Sequence, residues 1–233
     1  MSSLSLSSFS FEDVPTSAIE AAEALYGALA ADVRVLNDVS IRTRVDEHRV
    51  AQARALVRQA AELLAADAPP GPAGIHFNGE GRSWNWGNAV VGVRNAVAPP
   101  VTLEWGEDGA VRSRLTLGAA YEGPPGSVHG GVSAMVLDHL MGETASAAHT
   151  RVTVTGTLTL RYVNPLPLGP VRMEARITDE SDRKVTVTGW IAPDDPDDPD
   201  DPGAAPAVEA TGLFIIPRWA QEPDAPSGIG SLD

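Results

Sequence analysis

Two segments of this sequence carry residue types that could handle a carbonyl group and a water molecule. The first is Gly126-Ser127-Val128-His129-Gly130-Gly131. Two glycines at a helix start are poor for helix propensity, but they let a ligand come close to the backbone. First-turn N–H groups have no intrahelical acceptor, and the helix dipole favours negative charge there. The amide of Gly130 or Gly131 could therefore receive a carbonyl oxygen as charge develops on it. The plainer reading is a tight turn with His129 as a capping or core residue. The second segment centres on Asp138, whose helical neighbours Ala134, Met135, Met141 and Gly142 include no cation. A carboxylate buried there without a partner would have its pKa raised, which suits a general base working near neutral pH. The plainer alternative is a boundary aspartate that reaches solvent or caps another element. His139 and Glu143, four residues apart, read as an ordinary surface pair.

The spacing adds a constraint. Asp138 lies more than two turns along the helix, roughly 13 Å from its N-terminus at about 1.5 Å per residue. That is too far for one helix to bring both groups to one carbonyl, so a second chain would have to supply its own helix end.

The elements that must position these residues follow from periodicity. Residues 12–66 are helical in pattern: Ile19, Ala22, Leu25, Tyr26 and Leu29 recur at i, i+3, i+4 spacing, and Val50, Ala53, Leu56, Val57, Ala60, Leu63 and Leu64 do so again. Asp67-Ala68-Pro69-Pro70-Gly71-Pro72 stops the second helix. Residues 71–97, rich in Gly, Asn and Trp, read as an ordered loop draped over a core. From residue 98 the pattern is that of strands. Val101, Leu103 and Trp105 alternate with polar residues, Gly106-Glu107-Asp108-Gly109 turns the chain, and Val111, Ser113, Leu115 and Leu117 return. A helix follows over 130–148, then strands over 152–163, 171–179, 184–192 and 207–216. In the first of these, Val152, Val154, Leu158, Leu160 and Tyr162 face one way, and Thr153, Thr155, Thr157, Thr159 and Arg161 the other. The order is β-β-α-β-β-β-β behind a helical extension, which predicts an α+β class with an antiparallel sheet. The helix is apolar on nearly all sides and so must be buried on nearly all sides. One sheet curling around it is the expected arrangement. The expected division is 1–70 helical extension, 71–97 ordered loop, 98–218 main domain and 219–233 flexible tail.

Composition removes several functions. The net charge of -14, with no face rich in Lys or Arg, argues against nucleic acid as a partner. No run of about 18 apolar residues appears, so no membrane span is expected. The Ser-rich start, Met1 to Ser10, lacks the basic n-region of a signal peptide, and a cytoplasmic location is the default expectation. Without a cysteine there is no thiolate nucleophile and no thiolate metal ligand. The run Asp194-Asp195-Pro196-Asp197-Asp198-Pro199-Asp200-Asp201-Pro202 repels itself and reads as a solvated, mobile loop. Its prolines hinder the tight cage that calcium needs, so no metal site is expected.

Taken together, Tyr121 to Gly131, Asp138 nine residues after the histidine, and Gly142 resemble the HGG-type acyl-CoA thioesterases of the hotdog superfamily, which include the phenylacetate-pathway thioesterases. The similarity continues through Thr155-Gly156-Thr157-Leu158-Thr159-Leu160-Arg161-Tyr162, Pro165 to Gly169 and Asp182-Arg183-Lys184, and spans about 101–217. The resemblance implies a hotdog fold, an antiparallel sheet wrapped around a central helix. It also implies a homodimer or dimer of dimers with active sites at the dimer interface. Asp138 would act on water as general base, or attack as nucleophile. The Gly130 amide would polarise the carbonyl with Gly131 beside the substrate, His129 would orient the loop, and Thr155 would help hold the water or the aspartate. Arg161, Arg183 and Lys184 resemble positions that contact CoA, which is part of the substrate, so no separate cofactor is implied. Two departures stand out: Tyr162-Val163-Asn164-Pro165 replaces a Tyr-Lys-Arg-Pro common in relatives, and Gly123 replaces an asparagine. Loss of the two cations bears on how firmly CoA is held. The competing readings are a hotdog dehydratase of hydroxyacyl thioesters and a non-catalytic acyl-CoA-binding or regulatory module.

Overall fold

Apolar–polar alternation after residue 104, interrupted at two bulges, builds one antiparallel sheet whose inner face is almost entirely aliphatic. The computed structural model describes residues 9–99, 101–195 and 205–221. Most of the aspartate–proline run, most of the Ser-rich start and most of the expected tail lie outside those residues. Strands β4 (Glu104–Trp105), β5 (Ala110–Leu117), β6 (Val154–Tyr162), β7 (Gly169–Ser181), β8 (Lys184–Pro193) and β9 (Val208–Ile215) pair in the order β4-β5-β7-β8-β9-β6. Every pairing is antiparallel. Val111, Leu115, Leu117, Val171, Met173 and Ile191 are among the side chains buried on the inner face. The expected first strand is shorter than its alternation suggests, since only Glu104 and Trp105 join the ladder.

Helix α3 (Gly130–Ala145) lies across that face and packs on β5 through β9. Val136, Leu137, Leu140 and Met141 are fully buried, each contributing about 1.5–3 kcal/mol relative to exposure. Close approach of helix and sheet uses glycine: a Cβ on Gly212 would sit 2.5 Å from the Phe214 ring and 3.0 Å from Met141 Cε. The helix stops at Ala145, three residues short of expectation, because Ala147, Ala148 and His149 take left-handed φ of 51°, 56° and 64°. The Ser146 carbonyl, left over at that end, accepts from the amides of Thr150 and Arg151. A sheet wrapped in this way around one helix is the hotdog fold.

The chain before it adds two helices, α1 (Thr16–Arg42) and α2 (Glu47–Ala65). Asp46 caps α2 by accepting from the Arg49 amide. The stretch 71–97 is more ordered than a draped loop. It contributes β2 (Ile75–Phe77) and β3 (Ser83–Trp84), which join β1 (Phe9–Phe11) in a second, three-stranded sheet. α1 is seated on this stretch. Arg82 and the Trp86 indole N–H donate to Glu23, Arg34 donates to the Ala98 carbonyl, and the Arg94 guanidinium lies 3.6 Å from the centre of the Tyr26 ring.

Candidate active site

The turn before α3 is fixed from both sides. The His129 amide donates to the Tyr121 carbonyl, and the Val128 amide donates to Leu166. A Cβ on Gly123 would lie 2.7 Å from His129 Cα, so the residue that replaces the relatives' asparagine is one this backbone requires. His129 then caps the helix twice. Its carbonyl accepts from the Val132 and Ser133 amides, and its Nδ1 accepts from the Gly131 amide at 2.9 Å. An accepting Nδ1 carries no proton, which leaves Nε2 as the ring's N–H. The Gly131 amide is thereby engaged within the chain. Among the described residues the Gly130 N–H is the one first-turn amide for which no acceptor stands in place.

Tyr162, which sequence reasoning did not single out, completes the clamp. Its hydroxyl donates to the Gly130 carbonyl at 3.0 Å, and its ring lies where a Cβ on Gly130 would come within 3.1 Å. The peptide plane between Gly130 and Gly131 is thus held at its oxygen by Tyr162 and at its N–H by His129. The only sequence signal was a tyrosine at the exposed end of a strand, a common position for that residue.

Asp138 sits half-buried two turns further on. The Thr155 hydroxyl donates to its Oδ1 at 3.0 Å. Thr155 was expected to face away from Leu158 and Leu160, but all three lie on the helix side. The reason is a β-bulge between Thr155 and Thr157, where one extra residue, Gly156, reverses the alternation. His139 and Glu143 correct a second expectation. They are not a surface pair but are 3% and 7% exposed, with Nε2 and Oε1 3.9 Å apart. Glu143 makes its short contact with His149 instead, at 2.7 Å. That hydrogen bond raises the His149 pKa above its ordinary value, against burial and the charge of Arg82, which lower it.

The two halves of the site stand at opposite ends of β6: Tyr162 and Gly130 at its C-terminal end, Thr155 and Asp138 at its N-terminal end. Gly130 and Asp138 are eight residues apart in α3, about 12 Å at 1.5 Å per residue. One chain therefore does not bring them together. The three expected CoA contacts are also divided. Lys184 is exposed and pairs in register with Ile215, which also pairs with Val154, so Lys184 shares the Thr155 end of the sheet. Beside it, Arg183 donates to the Ile216 carbonyl. Arg161 is at the far end, six residues or about 20 Å along the strand, in an exposed ion pair with Glu209.

Beyond pairing with β9, the outer edge of β6 has no strand partner among the described residues. Residues 125–196, which hold this helix and strand, match the family described as the thioesterase superfamily. A thioesterase superfamily protein of known crystal structure is 31% identical, with a TM-score of 0.68 over 82% of this chain and 94% of its own. A Bacillus halodurans protein crystallised with CoA is 26% identical, with a TM-score of 0.44, 53% of this chain and 77% of that one being covered. A phenylacetic acid degradation-related protein from Ralstonia eutropha is 20% identical, with a TM-score of 0.43 and coverages of 50% and 84%. No curated protein matches. The identity and coverage of the first of these, together with the helix and turn at the matched residues, place the chain in its family: it belongs to the thioesterase superfamily.

Proposed function

We propose that this chain hydrolyses an acyl-CoA thioester to free CoA and a carboxylic acid, at a site built by two copies. The observation that carries the reading is the placement of an unused amide and an oriented carboxylate at the two ends of one unpaired strand edge. Antiparallel pairing of β6 with β6 of a second copy would set the Thr155–Asp138 end of one against the Gly130–Tyr162 end of the other. Edge pairing of this kind also satisfies the row of backbone groups that an open edge leaves in water. Each dimer would then hold two complete sites, related by its twofold axis.

In such a site the thioester oxygen accepts from the Gly130 amide, whose peptide is fixed by the capped His129 carbonyl. Charge that develops on that oxygen meets a donor already aimed at it, next to the positive end of α3. Asp138, oriented by Thr155, takes a proton from water as the water oxygen attacks the carbonyl carbon. Alternatively, its carboxylate attacks directly and water later cleaves the resulting anhydride. In both versions the C–S bond breaks and the CoA thiolate leaves, to be protonated to the thiol. Gly131 shapes the turn for close approach, while its own N–H serves His129. Arg161, Arg183 and Lys184 offer cations for CoA phosphates, with Arg183 and Lys184 near one end of β6 and Arg161 near the other. Antiparallel pairing would bring the Arg183–Lys184 corner of one copy toward Arg161 of its partner.

The test is release of free thiol from a panel of acyl-CoAs by the native chain and by Asp138→Ala. Thiol release that disappears in the variant is expected. Equal release from both would remove Asp138 from the mechanism. Binding without turnover by the native chain would assign a binding module, and loss of water from a hydroxyacyl thioester would assign a dehydratase.

A further inference from the structure

The N-terminal helices carry largely apolar seams that no described residue of their own chain covers. α1 has two faces. One, containing Ile19, Tyr26, Ala30 and Val33, is buried or half-buried against the rest of the chain. The other runs through Ala21, Leu25, Ala28, Asp32, Val35 and Val39, in alternating steps of four and three residues, and every one of these is exposed. α2 repeats the pattern. Val50, Ala53, Val57, Ala60 and Leu64 follow steps of three and four, and no residue of the helix is buried. Leu56 and Leu63 flank that seam at 66% and 72% exposed.

Alternating three- and four-residue spacing is the signature of a surface that receives another helix, because it keeps one stripe facing a partner over several turns. Alanines between larger residues let a second helix approach closely. The two helices do not cover each other. They are joined by four residues, and a groove of about 960 Å³ that Tyr26 and Leu29 of α1 share with Leu63 and Leu64 of α2 is lined mainly by residues 66–73 and 76–95.

We infer that the α1–α2 hairpin docks on the same hairpin of a second copy of this chain, giving a four-helix interface separate from the β6 edge. Three observations favour a second copy over another partner. First, both seams have the same spacing and lie on one hairpin, so a twofold can match α2 of each copy to α1 of the other. Second, the charges are complementary. α2 exposes Arg49, Arg54 and Arg58 beside Glu47 and Glu62, whereas α1 exposes Glu20 and Asp32 beside Arg42, its Glu23 and Asp38 being paired within the chain with Arg82 and Arg42. Third, the size is right. Eight large apolar side chains on the two seams or flanking them, from Leu25 to Leu64, are more than one-third exposed. They leave on the order of 700 Å² of apolar surface in water, above the largest patch of an ordinary monomer, about 300–600 Å². That is close to one partner's share of a standard interface, about 800 Å².

The experiment compares the full chain with Val57→Glu/Leu64→Glu by sedimentation equilibrium, and by hydrogen exchange of the 47–65 amides over a range of concentrations. Both positions are exposed and glutamate is a good helix former, so the variant keeps its fold. The expected result is at least a 100-fold weaker association step in the variant, and α2 protection in the native chain that rises with concentration. Gln59→Glu, off the seam, should leave both unchanged. Equal association of native and variant chains would overturn the inference. So would α2 protection independent of concentration, which would mean that α2 closes on its own α1. Loss of thiol release is not a criterion here, so failure of this interface and failure of the proposed activity are told apart.

Discussion

The hydroxyl of Thr155 offers the sharpest test of the proposed chemistry. Replacing it by valine keeps the shape of the side chain and its preference for strands, and removes one O–H donor 3.0 Å from Asp138 Oδ1. A hydrogen bond to a charged acceptor is worth about 1.5–3 kcal/mol. Asp138 is only half-buried, so water can replace the lost donor in the resting chain, and little stability should be lost. Water does not replace the orientation. Where the bond holds the carboxylate in its working direction, its full worth falls on the chemical step. At about 1.4 kcal/mol per factor of ten in rate, kcat should fall about 10–100-fold. KM should stay within about twofold, because the substitution removes an orienting contact and leaves ground-state binding in place. The assay is steady-state thiol release with the acyl-CoA turned over fastest in the panel, alongside thermal melting. Thr155→Ser, which restores the hydroxyl and removes the methyl, should recover most of kcat. A valine variant with native kcat beside a serine variant with reduced kcat would assign the position to packing and refute the reasoning.

Tyr162→Phe removes the donor to the Gly130 carbonyl and keeps the ring against the glycine. A fall in kcat of about tenfold without a change in fold is expected, and a native kcat would show that His129 alone fixes the turn. Phe214→Ala empties a fully buried site against Gly212 and Met141, and should destabilise the chain by about 3–5 kcal/mol in denaturant titrations. His149→Gln tests the buried Glu143 contact. The folded His149 pKa is raised above 6.5, so its contribution is fully present below pH 6.5 and is lost as pH rises through the raised value. The native chain should exceed the variant in stability by at most about 1 kcal/mol at low pH, since the ring is 40% exposed, with the gap closing as pH rises. A gap that widens with pH would contradict the assignment.

Much of the fold was legible because its signals are local. Alternation in 110–117, 171–175 and 185–191 marks strands whose inner residues are aliphatic, and the near absence of charge in 130–145 marks a helix that has to be covered on all sides. The family resemblance was legible for a similar reason: His129, Gly130, Gly131 and Asp138 sit at fixed separations along one segment. Short strands were harder. Phe9–Phe11, Ile75–Phe77 and Ser83–Trp84 have too few residues for a period to emerge, and the first pairs with the second across more than sixty positions.

What the amino-acid sequence determined by itself was the class of fold, the identity of the chemical groups, and the fact that one helix cannot bring Gly130 and Asp138 to the same atom, since rise per residue fixes that separation. Tertiary structure decided the rest. It decided that Thr155 faces Asp138, because a bulge at Gly156 reverses a strand whose alternation predicts the opposite. It buried His139 and Glu143, because helical spacing says which residues are neighbours but not which face the sheet will cover. It also separated the two glycine amides, since His129 bends back to take the N–H of Gly131 and Tyr162 holds the carbonyl of Gly130. Each of these depends on contacts between segments distant in sequence, or on one backbone irregularity, and neither leaves a periodic trace in the order of residues.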